Sequence, residues 1–401
     1  MIKVLHLAPG VGPDWYGIGI GIDDLCGAIA AHDCEVVLAT AYRSAIDDPE
    51  RVLSSASARD ESYSRVAFPA FAMRRFQFSP GLLRWLILNV SRFDVVHVHS
   101  LYSFPILAGL VLARARKIPY VVTTHDVLAP IQRRKSRGKK LLADVILVRP
   151  SLDAAAAVVY STAAEHDAAR PLGIMGPPVI IPWAINLEPF ATLPRRGSFR
   201  ARFLNNSDSP VVLYLGRLAE KKGLERLLKA FKRVIVAHPD AHLVIAGEGH
   251  PPSYRHRVER WAEQQGVSRR TLFTGLLHGA NKFAVLADAD ALVLPSRSEN
   301  FAVAMFEAMA CGLPVVISSG VQLAADVARF GAGLVGDDAS DIANAILRIL
   351  SNFDLRCTLQ ERGFAYAGQF SWEKTAAALV KVIVKSSGQT ELTAFLPLAQ
   401  N

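Results

Sequence analysis

Short apolar runs broken by glycine, proline or polar turns recur along the whole chain: Ile2–Leu7, Val36–Thr40, Asp94–His99, Ile118–Thr124, Pro210–Leu215, His242–Ala246, Ala291–Leu294 and the run that follows Pro314. Most are apolar at successive positions, the pattern of strands buried on both faces of a parallel sheet. Helical patterns lie between them, at Ile22–Ala31, at 339–351, and after Ser371, which is placed to cap the last one. Strand, helix and strand in alternation predict an α/β chain of doubly wound sheets. The segment 188–209, rich in Pro, Arg, Ser and Asn, breaks this rhythm and predicts two units, 1–188 and 189–370. The tail 387–401 has no periodic signal and is expected to be weakly ordered.

The richest stretch is 294–318. A strand breaks at Pro295, a polar loop carries Glu299, a short helix carries Glu307, and Gly312 and Pro314 return the chain to another strand. Asn300 is expected to cap the helix and Gly312 to take the left-handed conformation that ends it. Both carboxylates are then offered at the carboxyl edge of a parallel sheet, where open α/β folds bind ligands. In the same half, the strand Pro210–Leu215 runs directly into Gly216-Arg217-Leu218-Ala219-Glu220-Lys221-Lys222-Gly223, and His242–Ala246 into Gly247-Glu248-Gly249. Near the start, Gly10, Gly12, Gly17, Gly19 and Gly21 suggest a loop at which a ligand approaches the backbone, but their spacing is not Gly-x-Gly-x-x-Gly. His97 and His99 alternate to one strand face; with no third ligand near in sequence, they are expected to be buried histidines and not a metal site. His125 ends the Ile118–Thr124 strand, a position that offers a side chain to a cleft.

Glu299-x7-Glu307, with its Pro-Ser-x-x-Glu-Asn-Phe lead-in and its Glu-Ala-Met-Ala-Cys-Gly-Leu-Pro continuation, resembles the signature of the retaining glycosyltransferases of family four. Gly216-Arg217-Leu218…Lys222-Gly223 resembles the same family's Gly-Arg-Leu-x-x-x-Lys-Gly. The resemblance implies a GT-B fold: two Rossmann-like doubly wound domains facing a cleft, with a C-terminal helix, 371–386, crossing back to the N-terminal domain. It implies a hexosyl donor that is a UDP- or GDP-sugar, bound by the C-terminal domain without a metal or other cofactor. Arg217 and Lys222 would hold the diphosphate, Glu307 the ribose hydroxyls, Glu299 the sugar hydroxyls and His125 the sugar. Gly216, Gly247, Glu248, Asn300, Phe301 and Ala302 would line the donor, with Gly19 or a neighbour standing for the family's Gly-Gly pair. Ala302 departs from the glycine common in the family, as Trp183, Ala184 and Asn186 depart from its interdomain segment. Fixed cations suit the chemistry, since breaking a glycosyl–phosphate bond leaves a diphosphate gaining charge. Val127-Leu128-Ala129-Pro130 resembles a run of members that assemble exopolysaccharide or lipopolysaccharide, which points to a glycan or lipid-linked acceptor. The rival readings are a noncatalytic sugar-nucleotide-binding partner subunit and a same-fold epimerase or phosphorylase.

Composition narrows the setting. Hydrophobic residues make up 51% of the 401 and charged residues 20%, enough to build globular cores. Net charge is +9, from 45 Lys+Arg against 36 Asp+Glu, so an anionic partner is expected. No nucleic-acid-binding motif accompanies it. Six of the nine residues 132–140 are basic, from Arg133 to Lys140, and 71–90 mixes aromatic, aliphatic and Arg residues around Arg84. The basic run suits an anionic acceptor or membrane surface as well as a solvated face, whereas 71–90 reads either as an interfacial segment or, in preference, as a helix packed on its own domain with Arg84 exposed. No apolar run is long enough to span a bilayer and the start carries no signal-like region, so a cytoplasmic protein, peripheral at the inner membrane face, is expected. The four cysteines have no metal-site spacing and are expected to be reduced.

Overall fold

The computed structural model describes residues 1–10, 16–43, 62–71, 76–133, 143–205 and 208–388. The chain forms two units, 1–184 with 371–401, and 185–370. Each is a parallel sheet flanked by helices.

The first sheet has seven strands: β1 (Ile2–Ala8), β2 (Cys34–Arg43), β3 (Ser64–Ala70), β4 (Val95–His99), β5 (Tyr120–Thr123), β6 (Ala157–Tyr160) and β7 (Pro178–Ile180). Their order is β3-β2-β1-β4-β5-β6-β7. The order reverses direction between β1 and β4, which makes that crevice the topological switch point. Leu5, Leu7, Val96 and Val98 bury one face against Leu82 and Leu86 of helix Pro80–Asn89 and Ile106 and Leu110 of helix Phe104–Ala115. The period of two then sends His6, His97 and His99 to the opposite face. Helix Trp372–Ser387 closes this unit by packing on helix Tyr16–Ala30, so the C-terminal helix does return to the N-terminal domain.

The second sheet has six: β8 (Val211–Leu215), β9 (His242–Ala246), β10 (Thr271–Gly275), β11 (Ala291–Leu294), β12 (Val315–Ile317) and β13 (Leu334–Val335), in the order β10-β9-β8-β11-β12-β13. Its switch point lies between β8 and β11. Every residue of β8, β11 and β12 is buried, as their uninterrupted apolar runs require.

Two local expectations are corrected. Gly17, Gly19 and Gly21 do not form a loop; they lie in the first turns of helix Tyr16–Ala30. Glycine is needed there for approach: a Cβ on Gly21 would stand 2.7 Å from the Trp183 ring. Asn300 does not cap the next helix, which starts only at Val303, after Ala302 at φ 52° with no side-chain cap. Glu299 is first drawn into a bridge with Val321, which delays the helix. Within 71–90 the packed helix is found as preferred, over Pro80–Asn89: Leu82 and Leu86 enter the core while Arg84 and Leu88 stay exposed, and residues 72–75 lie outside the described residues. Most of the basic run, 134–140, and the tail from 389 onward also lie outside them. All four cysteines are free thiols.

Candidate functional site

The loops after β8, β9 and β11 converge at the second switch point. Gly247 packs its backbone on Gly216, where a Cβ would come within 1.9 Å of the Gly216 carbonyl oxygen. The Leu218 amide donates to Glu248 O at 2.8 Å, and the Arg297 amide donates to Lys221 O at 2.7 Å. Gly223, at φ 65°, stands so close to Pro295 that a Cβ would meet its carbonyl oxygen at 2.1 Å. Glycine satisfies both the left-handed conformation and the contact. The buried Tyr214 hydroxyl donates to Arg217 O at 2.8 Å and holds the Arg217 turn from below.

These anchors bring Lys222 and Glu299, 77 positions apart, into an ion pair. Burial pushes the Glu299 carboxyl up, but the charges of Lys222, Lys221 and Arg217 overcome it and hold Glu299 below the usual carboxylate range. Glu299 is thus an ionised acceptor under a cluster of cations. Its backbone is fixed as well: its amide donates to Gly320 O at 2.8 Å, and its carbonyl accepts from the Gln322 amide at 3.0 Å. Glu307, on helix Val303–Ala310, accepts from Lys282 Nζ at 2.5 Å. Lys282 carried no sequence signal, because nothing local marks a lysine on helix Gly279–Asp288 as a partner for Glu307. Phe301 is buried and stacks on Phe306 at 4.3 Å, giving the loop a floor; Gly312, at φ 67°, ends the helix as expected. Glu248 is exposed beside the Gly247 turn.

Ala302 sits where the resembled family has glycine, and its left-handed backbone explains the family's choice. Ala302→Gly is expected to raise stability by about 0.5–1 kcal/mol, read from the urea midpoint. A fall instead would show that packing of the buried Ala302 methyl outweighs its backbone strain.

In the first unit, His125 and Asp126 both have positive φ, 49° and 65°, immediately after β5. Two consecutive non-glycine residues in this region are strained, and such strain persists where the surroundings hold it. Glu165 does the holding. Buried at 2% exposure, its carboxylate accepts from Thr124 Oγ1 and the Asp126 amide, both at 2.5 Å, and from the Ser161 amide at 2.7 Å. Thr162 caps helix Ala163–Ala169 by accepting from the Glu165 amide. Thr162-x-x-Glu165 is the spacing of a capping box, so the cap was legible, but the carboxylate's reach to the β5 turn was not. Trp183 lies edge-on to His125, with centroids 4.8 Å apart. His6 joins His97 and His99 as the third ring that sequence spacing could not find, and their ligand atoms lie within 4.8 Å of one another.

A family model described as "Glycosyl transferase 4-like domain" matches residues 16–183, and one described as "Glycosyl transferases group 1" matches 196–366. With two Rossmann-like units, the chain is a glycosyltransferase of the GT-B fold. Its second half is thus a glycosyl transferase domain of group 1 and its first half a glycosyl transferase 4-like domain. A D-inositol 3-phosphate glycosyltransferase from Corynebacterium jeikeium is 26% identical over 83% of this chain and 81% of its own. Among solved structures, Anabaena HepE in complex with UDP and glucose superimposes with a TM-score of 0.78 at 18% identity, covering 96% of this chain and all of its own. Sucrose-phosphate synthase from Thermosynechococcus elongatus gives 0.75 at 22%, covering 97% and 100%. The likeness to these structures is one of fold. Among the described residues, no helix is long and apolar enough to cross a membrane.

Proposed function

We infer that this protein transfers a hexosyl unit from a nucleoside-diphosphate sugar to an acceptor hydroxyl with retention of configuration. The observation that carries the reading is the Lys222–Glu299 pair at the β8/β11 switch point, with Arg217 and Lys221 adding to the field on the same carboxylate. HepE, whose structures hold UDP, glucose and UDP-glucose, supports a donor of that class.

In this reading the donor diphosphate draws Lys222 and Arg217 to itself. Glu299, held ionised, then turns to accept hydrogen bonds from the sugar hydroxyls, while Glu307 accepts from those of the ribose. The bond from the anomeric carbon to the diphosphate breaks and one to the acceptor oxygen forms on the same face. The acceptor proton passes to the departing phosphate oxygen, and the fixed cations stabilise the charge that develops there. No protein nucleophile is invoked. His125 is assigned a contact with the sugar.

The acceptor is proposed to be amphiphilic or anionic. A pocket of about 280 Å³ in the first unit supports this: Leu128, Val148, Leu152, Leu172 and Ile174 give an apolar wall beside Arg133. Net charge +9 and the inositol phosphate in the relatives' names agree with an anionic group on it, and a glycan or lipid-linked acceptor at an anionic membrane surface fits both features. The test is a screen of purified protein for hydrolysis of UDP-glucose, UDP-galactose and GDP-mannose, with and without EDTA. Turnover of one donor, unchanged by EDTA, is expected. No turnover of any would favour the noncatalytic partner subunit, and activity lost in EDTA and restored by Mn²⁺ or Mg²⁺ would remove the metal-independent mechanism.

A further inference from the structure

The first unit's switch point holds four imidazoles drawn from three strands. His6 and His97 are register partners on β1 and β4, His99 lies two positions further along β4, and His125 follows β5. His6, His97 and His99 are fully buried. His6 Nδ1 is 3.1 Å from His99 Nε2, and His99 Nδ1 is 3.2 Å from His125 Nε2. Three rings are therefore joined head to tail.

Burial keeps all three neutral at physiological pH, with His6 pushed down to about 3, His125 to about 4, and His99 well below its ordinary value. A neutral imidazole has one N–H and one lone pair. The two links must then point the same way, and only two proton arrangements exist. Either His6 donates to His99 and His99 to His125, all from Nδ1, or His125 donates to His99 and His99 to His6, all from Nε2. The second arrangement puts an N–H on His6 Nε2, which is buried and has no hydrogen-bond partner among the described residues. The first leaves only a lone pair there. A buried N–H left unmade is the rarer of the two in folded proteins, which favours the first arrangement.

We propose that His6, His99 and His125 form a proton-ordered chain in which His6 and His99 are positioning residues that lock His125 with its proton on Nδ1 and its Nε2 lone pair occupied. His97 obeys the same rule: its Nε2 lies 2.7 Å from Thr123 Oγ1, and its Nδ1 is the buried atom without a partner. A metal would need three lone pairs at once, and the His6 proton already takes the one on His99 Nε2. Glu165 supports the chain from outside by holding the strained His125 turn. The consequence is functional. His125 presents itself as a hydrogen-bond donor and not as a base through Nε2, which suits recognition of an oxygen acceptor: a sugar hydroxyl or a phosphate oxygen. That last step rests on the transferase reading; the chain itself does not.

The full-length protein labelled with ¹⁵N at histidine tests this by long-range ¹H–¹⁵N correlation of the rings. His6, His99 and His125 are expected as neutral Nδ1–H tautomers from pH 6 to 8, and His97 as Nε2–H. In His99→Phe, His125 should lose the fixed Nδ1–H form, and kcat should fall about tenfold with the donor KM changed less than threefold. His125 as Nε2–H in the wild type, or an unchanged tautomer in His99→Phe, would overturn the proposal. So would one equivalent of zinc retained through dialysis and lost in His97→Ala. The wild-type spectrum decides even if the variant does not fold. The expected tautomers in a protein inactive on every donor would leave the chain standing and remove the transferase reading.

Discussion

Lys222→Ala is expected to lower turnover at saturating donor by about 10²-fold or more, the scale of losing one preorganised charge contact to a developing anion. The residue is placed to have that effect. It lies in the short helix Glu220–Lys222, is followed by the left-handed Gly223 that fits only against Pro295, and keeps its side chain 13% exposed. Two losses combine in the variant. The departing diphosphate loses a fixed cation, and Glu299 loses the first of the charges that hold its carboxyl ionised against burial. Lys222→Arg retains a cation with a different reach and should fall between the two. Turnover within threefold of wild type, in a variant whose thermal unfolding is unchanged, would dismiss Lys222 as a donor contact.

Glu165→Ala should cost about 3 kcal/mol of stability in urea unfolding. A hydrogen bond to a charged group contributes about 1.5–3 kcal/mol, and of the three the carboxylate accepts, those from the Asp126 and Ser161 amides are left unmade when it is removed, while Thr124 Oγ1 keeps the Val159 carbonyl at 3.3 Å. The three are not additive, because they share one carboxylate and relax together. The loss falls on a turn already strained at His125 and Asp126, so the variant should also loosen the ring of His125. Glu165→Gln keeps the shape and part of the bonding and should recover about half. A cost below 1 kcal/mol for the alanine variant would mean that water replaces the carboxylate and that the turn is held by something else.

The site proposed in the second unit was written into contiguous sequence. The runs 210–224 and 291–318 each contain a buried strand, the turn that leaves it and the charged residues the turn delivers, so apolar pattern and glycine placement alone put Arg217, Lys222, Glu299 and Glu307 at a sheet edge. Gly312 ended its helix as read, since a left-handed C-terminus is a local requirement. Asn300 was misread because its competitor was distant: the bridge from Glu299 to Val321 belongs to another part of the chain. Gly21 was misread for the same reason, as its partner is Trp183, more than 160 positions away. The histidine chain was the least legible feature. The period of two on β4 put His97 and His99 on one face, but only the pairing of β1 with β4 and of β4 with β5 brought His6 and His125 to them. Glu165 and Lys282 likewise acquired their roles from neighbours across the fold. Local sequence determines which atoms an element offers; register between strands distant in the chain decides which of them meet, because hydrogen-bonded pairing and shared burial, not proximity in sequence, set that distance.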